Sequence, residues 1–137
     1  LVAGYAIGTQ GYNFALARYT ASGALDSTFG TGGKVTTDFA GSSDVGFALS
    51  PDAQGRILVA GYTYTGTQSF NFALARYTSS GALDATFGTG GKVTTDFTGS
   101  DDVSFALSLD AQGRILVAGY AYTGTQGYNF ALMRVLP

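Results

Sequence analysis

The side chains that could carry chemistry in this sequence are almost all aspartates. All nine acidic residues are Asp, and His, Cys, Glu and Trp are absent. Without His or Cys, a Ser-His-Asp triad, a cysteine nucleophile, a zinc finger and a disulfide framework are excluded. The formal net charge is −2, with seven Lys and Arg among 137 residues. Because proteins contact nucleic-acid phosphates through clusters of Lys and Arg, this balance argues against a nucleic-acid partner.

The densest acidic feature is the pair Asp101 and Asp102, which follows Asp96 closely. Calcium takes several carboxylate and carbonyl oxygens, so these three residues are candidate calcium ligands. The alternative is a polar turn held by Asx-type hydrogen bonds, since an earlier copy of the segment has Ser43 in place of Asp101. The pair could also act as the acid and base of a carbohydrate-active enzyme. Neighbouring residues in a turn usually point apart, however, so we expect a protein without catalytic residues or a required cofactor.

The elements that position these side chains come from an internal repeat of about 58 residues. Residues 1–57 align with residues 58–115, and residues 116–137 begin a third copy. A fixed period of this size indicates a solenoid, a propeller or another array of stacked units.

Each copy reads as four short strands without a helix. The runs at residues 105–108, 115–120, 71–77 and 92–97 are rich in β-branched, aromatic and other apolar residues, while Gly, Asp, Ser and Thr fill the gaps. No window shows sustained helical spacing of apolar residues. The fold class predicted is therefore all-β.

Antiparallel pairing of these strands predicts sheets that can be buried on both faces. We expect Leu107 to face Leu116 and Phe105 to face Ala118 around the turn at residues 110–113. We also expect Phe72 to face Phe97 across the Gly-rich connection. One face is then bulky and the other small, so large side chains of one sheet can cover small ones of the next. Four such antiparallel strands per unit form a β-propeller blade.

The chain then holds about 2.5 blades: a partial blade at residues 1–39, a full blade at 40–97 and a partial blade at 98–137. Closed propellers have four to eight blades. We therefore expect either a fragment of a longer propeller or a chain whose open ends are covered by other copies of itself.

Three segments resemble the delta-60 repeat of bacterial proteins: NFALARY at residues 71–77, GALDATFGTGGKV at 81–93 and DAQGRILVAG at 110–119. The resemblance implies tandem β-propeller blades of unknown function in a bacterial protein that is secreted or exposed on the cell surface. It brings no catalytic residues with it.

The loops between second and third strands, at residues 63–70 and 121–128, should share one rim of the stacked blades. Tyr rings and Gln amides there suit a carbohydrate or peptide ligand, and the alternative is that the rings simply pack on their own loops. The candidate ligand-binding residues are Tyr64, Gln68, Tyr122, Gln126 and Tyr128.

The function expected is a non-enzymatic scaffold for interaction or ligand binding outside the cytoplasm, without a membrane span. The alternatives are a structural subunit that docks through its open blade ends and, more distantly, a carbohydrate-active enzyme that uses Asp.

Overall fold

The computed structural model describes residues 1–39, 43–66 and 69–136, which form ten strands and one short 3-10 helix at Gly124–Gln126. The strands are β1 (Val2–Ile7), β2 (Tyr12–Ala17), β3 (Lys34–Thr37), β4 (Asp44–Pro51), β5 (Ile57–Tyr64), β6 (Phe70–Tyr77), β7 (Lys92–Thr95), β8 (Asp102–Leu109), β9 (Ile115–Tyr122) and β10 (Tyr128–Val135).

These strands form three antiparallel sheets in the order β1-β2-β3, β4-β5-β6-β7 and β8-β9-β10. We call them the first, middle and third sheets. Each lies within one of the segments 1–39, 40–97 and 98–137. Among the described residues, the first sheet has no strand equivalent to β4 and the third has none equivalent to β7.

The middle sheet is buried on both faces, as the apolar pattern predicts. One face joins the first sheet in a cluster in which Phe14 and Leu16 share the core with Ala73 and Ala75. The other face joins the third sheet, where Phe72 and its neighbours pack with Ala131 and Met133. In both junctions the Phe and Leu of one sheet pack on the opposite face of the next, so the prediction that neighbouring sheets cover both faces is confirmed for the middle sheet.

The predicted register of the third sheet's first hairpin is wrong beside the turn. Leu107 pairs with Val117, and Phe105 has no partner because a β-bulge separates Ser104 from Ala106. The predicted pairing of Phe105 with Ala118 therefore fails, since Ala118 pairs with Ala106.

The predicted register of β6 and β7 is wrong by two residues. Phe72 pairs with Thr95 instead of Phe97. A shift of two keeps the same side chains on each face, and the Phe72 and Phe97 rings still meet edge to face at 5.0 Å. The strand ends early because the N–H of Phe97 donates to the carboxylate of Asp102 at 2.6 Å.

The Gly-rich connection after β6 is anchored by an ion pair. Arg76 Nε donates to Asp84 Oδ2 at 2.8 Å, and the guanidinium lies 4.5 Å from the centre of the Phe87 ring. Arg76 is buried, and this ion pair gives its charge a partner.

One buried hydrogen bond crosses the junction between the first and middle sheets. The Tyr77 hydroxyl donates to Thr37 Oγ1 at 2.8 Å. Burial raises the pKa of Tyr77 to about 12, so the phenol remains a donor throughout the physiological range.

Candidate binding rim

The predicted Tyr residues lie at one end of the stacked sheets, which we call the upper rim. Tyr64 ends β5 and pairs with Phe70 at the start of β6. Tyr122 ends β9 and pairs with Tyr128 at the start of β10. The β5–β6 loop and the β9–β10 loop therefore open at the same end, as predicted.

The structure brings some of the predicted ligand-binding residues together. The Tyr122 and Tyr128 rings lie 5.1 Å apart, whereas Tyr64 meets Phe70 at 5.4 Å on the neighbouring sheet. Gln126 is exposed on the 3-10 helix. Gln68 lies outside the described residues.

These tyrosines belong to a longer series of ring contacts that we call the aromatic belt. It crosses from the middle sheet to the third sheet, with each ring centroid 4.7 to 5.8 Å from the next. In order along the belt, the members are Tyr64, Phe70, Tyr62, Phe47, Phe105, Tyr120, Tyr128 and Tyr122.

The first sheet adds a further pair beside the belt, Tyr5 and Tyr12, with rings 4.9 Å apart. Partial burial raises the pKa of Tyr62, with smaller contributions from Tyr5 and Tyr12. Partial burial likewise raises the pKa of Tyr120. The hydroxyls of Tyr62 and Tyr120 therefore stay neutral hydrogen-bonding groups at physiological pH.

Several rings of the belt are open to solvent. Phe47 is 46% exposed, Phe105 is 49% exposed and Tyr128 is 65% exposed. A single exposed apolar residue needs no explanation, but contiguous exposed aromatic surface marks an interaction site.

The exposure of Phe47 and Phe105 comes from paired bulges in β4 and β8. The bulge in β4 lies between Gly46 and Ala48, so Phe47 has no partner in the strand ladder. Opposite it, a Cβ atom on Gly61 would overlap the carbonyl oxygen of Val45. Glycine inside a strand thus permits the bulge that directs the ring outward.

Sequence reasoning missed Phe47 and Phe105 because it placed both in regular ladders. The available signal was a glycine inside β5 and another inside β9, Gly61 and Gly119. A glycine inside a strand is typical of a bulge or of a close approach of two backbones. Gly119 faces Val103 as Gly61 faces Val45.

Two buried aspartates begin the inner strands beneath the rim. Asp44 accepts the Phe39 N–H at 2.7 Å, and Asp102 accepts the Phe97 N–H at 2.6 Å. Burial raises the pKa of both carboxyls above the ordinary value. Their role in the structure is to close the link between successive sheets.

The three candidate calcium ligands have separate backbone partners. Asp96 accepts the N–H groups of Thr98 and Gly99 in an Asx-type turn. Asp101 instead accepts the N–H of Phe70, 3.2 Å away on the middle sheet. Within residues 1–39, 43–66 and 69–136, no three acidic residues form a group that could hold a metal ion. The geometry therefore favours the polar-turn interpretation, and the calcium hypothesis remains a prediction.

The opposite end of the stack holds a cleft of about 610 Å³ between the first hairpins of the middle and third sheets. Its charges pair internally, as in the contact of Arg56 Nε with Asp52 Oδ2 at 2.5 Å. Arg76 Nη1 has no acceptor there among the described residues, whereas the equivalent Arg18 Nη1 donates to the Ser79 carbonyl. Position 137 is equivalent to Ser79 and lies outside the described residues. The cleft therefore belongs to the junction between the middle and third sheets.

Comparison with known families agrees with this architecture. A family model described as a β-propeller domain of unknown function, DUF5122, matches residues 1–29 and 54–87. No curated protein matches the chain. In the part of the chain that the structure describes, no helix has the length and apolar character needed to cross a membrane. The all-β sheets are thus blades of a β-propeller.

Proposed function

We propose that this β-propeller segment is a non-enzymatic scaffold that binds a ligand on its upper rim. The aromatic belt carries the proposal, because eight linked rings at one end of the stack, several of them half-exposed, have no evident structural need to face solvent. Apolar surfaces with a few convergent polar groups are the usual lining of ligand sites.

The belt suits an uncharged ligand that can stack on aromatic rings. Its members are Phe and Tyr only, so the rings supply apolar area while the Tyr hydroxyls supply hydrogen bonds. Asp101 lies nearby but holds the N–H of Phe70. We propose a carbohydrate or an extended peptide as the ligand, and both would lie across the rings of adjacent sheets.

The test is titration of the 137-residue chain with neutral oligosaccharides and with proline-rich peptides, followed by calorimetry. Removing a ring worth about 1.4 kcal/mol should weaken binding roughly tenfold in a Phe105→Ala variant. Tyr19→Ala is the matched control, since Tyr19 is similarly exposed and lies outside the belt. Absence of saturable binding by both ligand classes, or equal affinity in the two variants, would refute a site on the belt.

We place this function outside the cytoplasm of a bacterium. The resemblance to the delta-60 repeat and the absence of Cys support export, since a chain without thiols is indifferent to an oxidising compartment. Fractionation of the source cells, with immunodetection of the chain, would test the location.

A second candidate function is that of a structural subunit docked through its open blade ends. The exposure of Phe130 at 78% favours it, because the equivalent Phe14 and Phe72 are fully buried. An Asp-based carbohydrate-active enzyme finds less support, because Asp102 is buried and bonded to backbone. Hydrolysis that disappears in an Asp102→Ala variant would favour that enzyme.

A further inference from the structure

The two junctions inside the chain obey one rule of assembly. In each, the Phe and Leu of one strand pack on the opposite face of the equivalent strand in the next sheet: Phe14 and Leu16 of β2 over Ala73 and Ala75 of β6, and Phe72 and Leu74 of β6 over Ala131 and Met133 of β10. The rule follows from the repeat, since the first and middle sheets each carry a bulky face and a small face. The two faces are therefore complementary between units rather than within one.

The third sheet ends the stack with an uncovered bulky face. Phe130 and Leu132 are 78% and 55% exposed, while the equivalent Phe72 and Leu74 are fully buried. The same residue types in the same strand register thus differ only in whether a neighbour is present. We call this surface the bulky end.

The first sheet ends the stack with an uncovered small face, which we call the small end. Val2 is 56% exposed there, whereas the equivalent Val59 is fully buried. A shallow groove of about 230 Å³ crosses this face, lined by residues that include Val2, Ala15 and Ala17. The internal junctions fill the equivalent space with the Phe and Leu of the preceding sheet.

We infer that the bulky end of one copy of this chain receives the small end of a second copy, head to tail. The inference rests on the second candidate function and names its partner. Continuity with the internal junctions supports it, because the mating faces are those that already pack inside the molecule. Phe130 and Leu132 then cover Ala15 and Ala17 of the partner subunit.

The internal junction also predicts a polar contact at this interface. Arg18 Nη1 donates to the Ser79 carbonyl at 2.6 Å across the first junction. By repeat equivalence, Arg134 of one copy donates to the carbonyl of Ala21 of the partner subunit. The turn that contains Ala21 already has the conformation of the turn that contains Ser79. Gly23 N donates to Thr20 O at 3.0 Å, as Gly81 N donates to Thr78 O.

The contact is heterologous, because two different surfaces meet. Such contacts form closed rings when the rotation per unit closes, and open chains when it does not. Two copies with three sheets each would form a ring of six sheets, within the four to eight blades usual for propellers. The bulky end and the small end of each copy are then both covered by the partner subunit.

The experiment is light scattering with size-exclusion chromatography over a wide range of concentrations. The wild-type chain should show about twice its mass of 14.1 kDa. Phe130→Asp removes the bulky end and Ala15→Glu blocks the small end, so each variant should return to the mass of a single chain. Ile7→Asp is the control for an added charge on an exposed apolar side chain, since Ile7 is exposed and lies on the opposite face of its sheet from the small end.

A wild-type mass that stays at one chain throughout would overturn the inference. So would dissociation by Phe130→Asp alone with Ala15→Glu still dimeric, because two bulky ends would then be meeting each other. Circular dichroism establishes that the variants remain folded. Ligand titration of the Phe130→Asp variant separates the two proposals: rim binding should persist in the monomer, and its loss would count against the belt rather than against the interface.

Discussion

Replacing equivalent phenylalanines in two repeats tests whether the stacking of sheets holds this molecule together. Phe72 is fully buried between the middle and third sheets, while Phe130 is largely exposed on the open bulky end. Truncating a buried Phe to Ala removes its transfer free energy and leaves a cavity, at a cost of about 3–5 kcal/mol. An exposed substitution normally changes stability by less than about 0.5 kcal/mol.

Urea unfolding of dilute, monomeric samples measures the difference. With a slope of about 2 kcal/mol per M, Phe72→Ala should lower the unfolding midpoint by about 2 M, and Phe130→Ala should leave it nearly unchanged. If Phe72→Ala leaves too little folded protein, the milder Phe72→Leu preserves the comparison. Equal costs for the two positions would refute the reasoning, because position within the repeat and not coverage by a neighbour would then set the stability.

Two further predictions concern backbone packing and pH. Gly61→Ala should destabilise the chain by about 1–3 kcal/mol in urea unfolding, because the added Cβ would overlap the Val45 carbonyl. The equivalent substitution Gly4→Ala places its Cβ in open space and should be tolerated. Equal costs for the two substitutions would contradict the bulge argument. Burial raises the folded-state pKa of Asp44, so the stability this carboxyl contributes is present below its unfolded pKa near 4 and is lost as pH rises through the folded pKa. Wild type should therefore lose stability relative to Asp44→Asn as the pH rises above about 4 in parallel urea titrations, and a constant difference would contradict this.

The strands and their assignment to sheets followed from local pattern. Apolar runs separated by Gly and Asp turns occur in every copy, and a period of two places alternate side chains on opposite faces. That pattern placed Phe72 and Leu74 on one face and Ala73 and Ala75 on the other, as observed. The pattern could be read because it depends only on neighbours along the chain.

The registers of the paired strands could not be predicted from the sequence in the same way. The turn before β9 includes Arg114, whose carbonyl accepts the Asp110 N–H, and this extra residue shifts the ladder by one beside the turn. The bulge at Phe105 restores the predicted offset beyond it. Hydrogen bonds between distant strands select such offsets, and turn composition alone does not specify them.

The candidate site was predicted in outline and completed by packing. Tyr64, Tyr122 and Tyr128 could be assigned to one rim, because the alternation of hairpins decides which loops share an end. The rings that link them across sheets, Phe47 and Phe105, meet at 5.3 Å only because two bulges in separate sheets face the same side. No single segment of the sequence indicates that these two bulges bring the rings into contact.

The amino-acid sequence by itself determined that the chain is a repeated all-β unit with two apolar faces, since composition and period are properties of the chain. Tertiary structure decided which of these faces are covered. Phe14, Phe72 and Phe130 occupy the same position in three nearly identical repeats, yet two are fully buried and one is open to solvent. Burial depends on the neighbour across the junction, and that neighbour is supplied by stacking and not by the residue's own surroundings in the sequence.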